Sequence, residues 1–233
     1  LDITLGSSAV AKVKVPGNDD ISGFTFDTDV TAIEVAANKT ATLSVAHGQL
    51  TITLGSGAIA KVKVLTTSDI SGTTLSGSVT KIDVSDNATA SLSAAQAQLD
   101  ITLGSSAVAK LKVSTGTDVS GLTFDSDVTE FIVTSGTLTV STAQATGRVI
   151  SGAGDVTVNA LAANANLASV SASGTVTANV ADDLDYSANT NIATVDAFVI
   201  AANKTGSFSA AQGAKTITLG SGAIAKVKVL TTS

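Results

Sequence analysis

The sequence has no cysteine, no methionine and no tryptophan, and only one histidine, one tyrosine and one proline among 233 residues. Without cysteine there is no disulfide framework, no thiolate metal site and no thiol nucleophile. Aromatics are 3% of the chain while hydrophobic residues reach 44%. That content argues against disorder, and it has to come from Val, Ala, Ile and Leu, so the core is thin and built from small, mostly β-branched side chains. A formal net charge of −6 leaves no basic stripe to neutralise phosphates, which argues against a nucleic-acid partner. No run of 18 apolar residues occurs, so no membrane insertion as a helix is expected. With neither an initiator methionine nor a signal peptide, the chain reads as a fragment of a longer polypeptide.

What the sequence does contain is repetition. Leu1 to Val15 (LDITLGSSAVAKVKV) returns at Leu50 to Val64 and at Leu99 to Val113, 49 residues apart each time. Thr51 to Ser68 returns unchanged at Thr216 to Ser233. The array therefore runs over 1–233 as one continuous domain. Its units lie near 1–49, 50–98 and 99–147, more divergent coils occupy 148–200, and the repeat resumes over 201–233.

Inside each unit an apolar-x-x-apolar-x-apolar pattern recurs, as at Val10/Val13/Val15, Val30/Ile33/Val35, Ile59/Val62/Val64 and Val79/Ile82/Val84. Alternation, β-branched enrichment and Gly/Ser/Asn/Asp turns indicate strands. The expected fold is all-β, a parallel β-solenoid of about ten coils, with short coils of roughly 20 residues alternating with longer ones. The longer coils carry SVAH at Ser44, SAAQ at Ser93, STAQ at Ser141 and SAAQ at Ser209. Ser followed three residues later by Gln is a capping box, so each long coil is expected to hold a single helical turn. His47 occupies the Gln position of the first box and reads as its substitute; with no second histidine, a catalytic or metal role is disfavoured. Asn38, Asn87 and Asn203 open Asn-x-Thr sequons just before these boxes, where Asn also suits a tight turn.

If successive coils align at these anchors, Lys14, Glu34, Lys63, Asp83 and Lys112 form an outward column of alternating charge, and Thr4, Thr25, Thr53, Thr74, Thr102 and Thr123 a threonine column. Carboxylates recur at corners, with Asp27 and Asp29 matched by Asp125 and Asp127, and a column Asp20, Asp69, Asp118. Turn and solubility roles suit them best. Calcium remains the alternative, with Asp27, Asp29, Asp125 and Asp127 as weak candidate ligands, although neither an EF-hand loop nor a glycine-rich nonapeptide array is present. No cofactor is otherwise implied.

The segments Leu92 to Ala97, Phe208 to Gln212, Gly152 to Val158 (GAGDVTV) and Ser171 to Asp183 (SASGTVTANVADD) resemble repeats of giant Ala/Thr/Val-rich, secreted bacterial surface proteins of adhesin-like or surface-layer-like type. That resemblance implies an extracellular or cell-surface location and a structural, non-enzymatic role as spacer, scaffold or filament. The expected partners are neighbouring solenoid repeats or further copies of the chain, since neither end carries a recognisable polar cap. The competing reading is a ligand-binding or calcium-dependent adhesive module, or a surface-layer lattice component, with cell-surface glycans or surface-layer proteins as partners. Residues Ala145 to Asn191, which include the only Arg (Arg148) and the only Tyr (Tyr186), depart most from the repeat.

Overall fold

Alternating apolar residues dictate strands with one buried face, and in the computed structural model, which describes residues 10–228, these strands pair in parallel throughout. The chain is all-β, with about 11 turns of β-solenoid and 8% helix. It divides into two compact units, Leu1–Leu111 with Phe124–Val128, and Lys112–Thr123 with Thr129–Ser233.

The first unit holds three ladders. Ala11–Val15, Val30–Val35 and Thr51–Leu54 make one. Asp19–Asp20, Thr40–Leu43, Ile59–Val64, Val79–Val84 and Asp100–Leu103 make the second. Ser68–Asp69, Thr89–Leu92 and the first four residues of Val108–Val113 make the third. Each coil runs from a first-ladder strand to a second-ladder strand and returns through a third side, formed early in the unit by the irregular segments 21–29 and 44–50. The core confirms three sides. Val15, Ile33, Val35 and Ile52 from the first ladder meet Ala41, Leu43, Ala60 and Val62 from the second, and Ile21, Phe26, Val45 and Leu50 close the third. Each such Val, Ile or Leu contributes about 1.5–3 kcal/mol by burial.

Registers correct the expected alternation of short and long coils. Val13 pairs with Ile33 and Ile33 with Ile52, while Leu43 pairs with Val62, Val62 with Ile82 and Ile82 with Ile101. Every coil is therefore roughly 20 residues. The 49-residue repeat spans two full coils plus one side. Its copies do not stack on themselves: the strand Ala11–Val15 lies in the first ladder, its counterpart Ile59–Val64 in the second and Val108–Val113 in the third. The anticipated charge column is broken for the same reason. Lys14 faces Glu34, which faces Thr53; Lys63 faces Asp83, which faces Thr102. The threonine column fails likewise, since Thr53 and Thr102 sit on different ladders, and Thr4 lies outside the described residues.

Ladder pairing also places Lys61 opposite Lys81. Like charges directly opposite are unfavourable. Lys61 turns diagonally to Asp83, and Lys81 turns to Asp100, which lies directly opposite it on the next strand, both at 2.5 Å.

The second unit repeats the arrangement. Val149–Gly152 pairs with Val128–Val133 on one side and Val170–Ala172 on the other. Thr117–Asp118, Thr137–Ser141, Asp155–Asn159, Val176–Val180, Ala197–Ile200 and Thr216–Leu219 form its long ladder. Leu184–Asp185, Thr205–Ser209 and Ile224–Lys228 form the third. Here Phe131, Tyr186, Phe198 and Phe208 are fully buried, so aromatic rings fill space that aliphatic residues fill in the first unit.

Candidate functional site

The segments that leave the strands and carry polar side chains inward are the corners, and each is built from the same residues. A corner opens with Asp-x-Ser. Asp20 Oδ1 accepts both the N–H and the hydroxyl of Ser22, at 3.0 and 2.5 Å. The pair recurs at Asp69/Ser71, Asp118/Ser120 and Asp185/Ser187. This local bonding bends the chain out of its strand. The second oxygen binds a lysine far along the chain: Asp20 Oδ2 accepts from Lys63 at 3.1 Å and Asp185 Oδ2 from Lys228 at 2.5 Å. Hydrogen bonds from Ser22 hold the Asp20 carboxyl below its usual range, with Lys63 adding to the effect. The bond from Lys228, followed by those from Ser187, brings Asp185 down to about 2.

The following corner carries the capping turn. Ser141 with Gln144 and Ser209 with Gln212 form complete capping boxes. At Ser93 and Gln96 the same reciprocal bonds frame a 3-10 turn. The sequence signature gave this local role, but the glutamine amide does more. Gln96 Nε2 donates to the carbonyls of Ile70 and Thr73 at 2.9 and 2.8 Å, and so fastens its own turn to the preceding corner. Gln144 does the same to Val119 and Leu122, and Gln212 to Tyr186 and Asn189. Every one of these amides is buried. A buried amide with its donors and acceptor all engaged is a rigid fastening, because no water is present to replace a lost partner.

His47 is the exception. Its backbone N–H donates to Ser44 Oγ at 3.1 Å and its ring meets the Phe24 carbonyl, but Nδ1 is buried without a partner among the described residues. Phe26 stacks on the imidazole at a centroid distance of 4.0 Å. Burial lowers the His47 pKa.

Shallow grooves lie beside these corners. That beside His47 has a volume of about 520 Å³, that beside Gln96 about 430 Å³ and that beside Gln212 about 480 Å³. No family model, curated protein or solved structure matches this chain. The corner geometry therefore carries the functional argument.

The calcium candidates are placed in turns. Asp27 Oδ1 accepts the Asp29 N–H and Asp125 Oδ1 the Asp127 N–H, both at 2.9 Å, and Asp125 Oδ2 accepts the Ile101 N–H at 3.2 Å. Among the described residues no group of three or more His, Asp or Glu is placed to hold a metal ion. Other carboxylates are similarly engaged: Asp86 with the Ser105 N–H, Asp183 with the Thr205 N–H and Asp182 with Lys204. The sequon residues Asn38, Asn87 and Asn203 all adopt left-handed backbone, with φ of 57°, 59° and 60°. Asn tolerates that geometry better than other residues with a Cβ, which accounts for its recurrence there.

Two residues gain roles that the sequence did not disclose. Tyr186 stands where Ile21, Ile70 and Val119 stand in other copies, and its hydroxyl donates to the Leu161 carbonyl at 2.7 Å. With Asn189, which donates to Ala163 and Ala165, it fastens the long segment 160–169. Burial raises its phenol well above the ordinary value. Arg148 replaces the leucines Leu50 and Leu99 before the next strand, lies over the Phe131 ring at 5.3 Å and donates to the Gln144 carbonyl. The signal available in sequence was a polar or aromatic residue at a position that is aliphatic in other copies.

Proposed function

We propose that this chain is a structural, non-enzymatic repeat segment of a large extracellular bacterial surface protein or fibre, serving as spacer or scaffold. The observation that carries the reading is the engagement of the corner carboxylates and amides: Asp20, Asp185, Gln96, Gln144 and Gln212 are taken up by bonds within the fold. A stack in which each coil contacts only its neighbours extends by duplication without a new core, which suits a part whose product is length. Its natural neighbours are then further solenoid coils.

A ligand-binding module is the competing reading, and the groove beside Gln212 favours it, because Lys215 there replaces the leucine found at Leu50 and Leu99. The two readings separate in two measurements: calcium titration by calorimetry and a glycan array, both on the 233-residue chain. The spacer reading expects no saturable binding in either, and saturable binding in either overturns it.

A further inference from the structure

We propose that the His47 corner is an acid-sensitive latch, which releases segment 22–28 and opens the groove beneath it when the imidazole takes up a proton. The copies of this corner supply the comparison. Gln96 holds the previous corner by two donated bonds and accepts the Ser93 N–H. Among the described residues, His47 holds it through one hydrogen bond, to the Phe24 carbonyl, and through the Phe26 ring stacked on the imidazole.

Neutral imidazole can leave Nδ1 as a bare acceptor, as it is here. Protonation converts that atom into a charged donor with no acceptor in a site that is only 5% exposed. A buried unpaired cation is far costlier than an unpaired neutral nitrogen, so the proton favours an opened corner. The charged surroundings do not reverse this. Among the described residues, Asp27 is the only charged one lining the groove, and its Oδ1 is engaged by the Asp29 N–H. Lys61 and Lys63, on the strand packed against the 47–49 turn, are directed to Asp83 and Asp20. Segment 71–78, which meets the turn through Ser76 and Gly48, carries no charge. What opening uncovers is apolar, since Phe26 leaves the imidazole face and Phe24 is already 64% exposed.

The molecule contains its own control. The Phe24 N–H donates to Ile21 in the His47 corner, and the Thr73 N–H donates to Ile70 in the Gln96 corner. Amide exchange of the two, corrected for intrinsic rates, is measured from pH 7.5 to 4.5, with the His47 titration followed by NMR. The expected result is that Phe24 loses protection below pH 6.5 by up to about tenfold per pH unit while Thr73 is unchanged. His47→Gln, which installs the residue of the other corners, should abolish the dependence at Phe24. Equal behaviour of Phe24 and Thr73, persistence of the dependence in His47→Gln, or a His47 pKa at or above 6.5 each overturns the proposal.

Discussion

Lys63 reaches across two rungs of its ladder to Asp20, its Nζ lying 3.1 Å from Oδ2, and Lys228 reaches Asp185 in the same way at 2.5 Å. In both cases the carboxylate is already held by a serine two residues on. The lysine thus ties a corner to a strand two coils above it, so a local turn becomes a link across the stack.

Acid should weaken this link in a defined window. The folded Asp185 carboxyl titrates near about 2 and its ordinary value is 3.8. A depressed carboxylate adds stability above its unfolded pKa and loses it as pH falls through the folded one. Urea midpoints should therefore fall between about pH 4 and 2, and Asp185→Asn should show a shallower fall than the parent over that interval. Parallel curves for the two proteins would refute the assignment.

Gln96→Met keeps volume but strips two carbonyls, Ile70 and Thr73, of their donor. Destabilisation of about 2–4 kcal/mol is expected by urea denaturation, since buried groups without partners each cost about 1–3 kcal/mol. A loss below about 0.5 kcal/mol would show that water replaces the amide.

Tyr186→Phe tests a single bond. The ring and its stacking on Phe208 remain, and only the donor to Leu161 is removed. The expected cost is about 1–2 kcal/mol in the same assay, with faster amide exchange confined to the neighbourhood of 160–169.

Gly152 adopts φ of +117°, and a Cβ there would overlap the Val133 carbonyl oxygen. Gly147 also has positive φ, but open space surrounds it. Alanine should cost about 3 kcal/mol or more at 152 and about 1 kcal/mol at 147. Thermal melts of the two variants give the ranking directly.

Asn38→Gly should melt within a degree or so of the parent, whereas Asn38→Ala should lose about 1 kcal/mol, because the left-handed turn accepts glycine and penalises alanine. Equal effects of the two would mean that the asparagine side chain, and not its backbone, stabilises the turn.

The fold class was legible because alternation at Val13/Val15 or Val62/Val64 specifies a strand whatever its neighbours are. The capping turns were legible too, since Ser141 and Gln144 lie three residues apart and their bonds are local. Coil length was not. Identical strands invite alignment of Val13 with Val62, yet Val62 pairs with Leu43 on one side and Ile82 on the other, residues from dissimilar segments. Similarity reveals the unit of duplication, whereas hydrogen bonding follows the unit of winding, and the two differ. The far partners at the corners were hidden for the same reason. Asp20 and Ser22 can be read as a turn, but Lys63 joins them only through the winding, and the lost second fastening at His47 becomes visible only beside Gln96.

Since the duplicated module is out of step with the winding, copy number acts in the first unit as a phase, much as a mark cut on a screw thread advances around the shaft. An accident of sequence multiplied by duplication is spread around the compass and cannot accumulate as one stripe. The exposed ring of Phe24, for example, has Thr73 as its counterpart one side further round, not directly above it. Gain or loss of one module would turn every later coil of that unit by a third of a revolution, and only three modules together would restore the original heading.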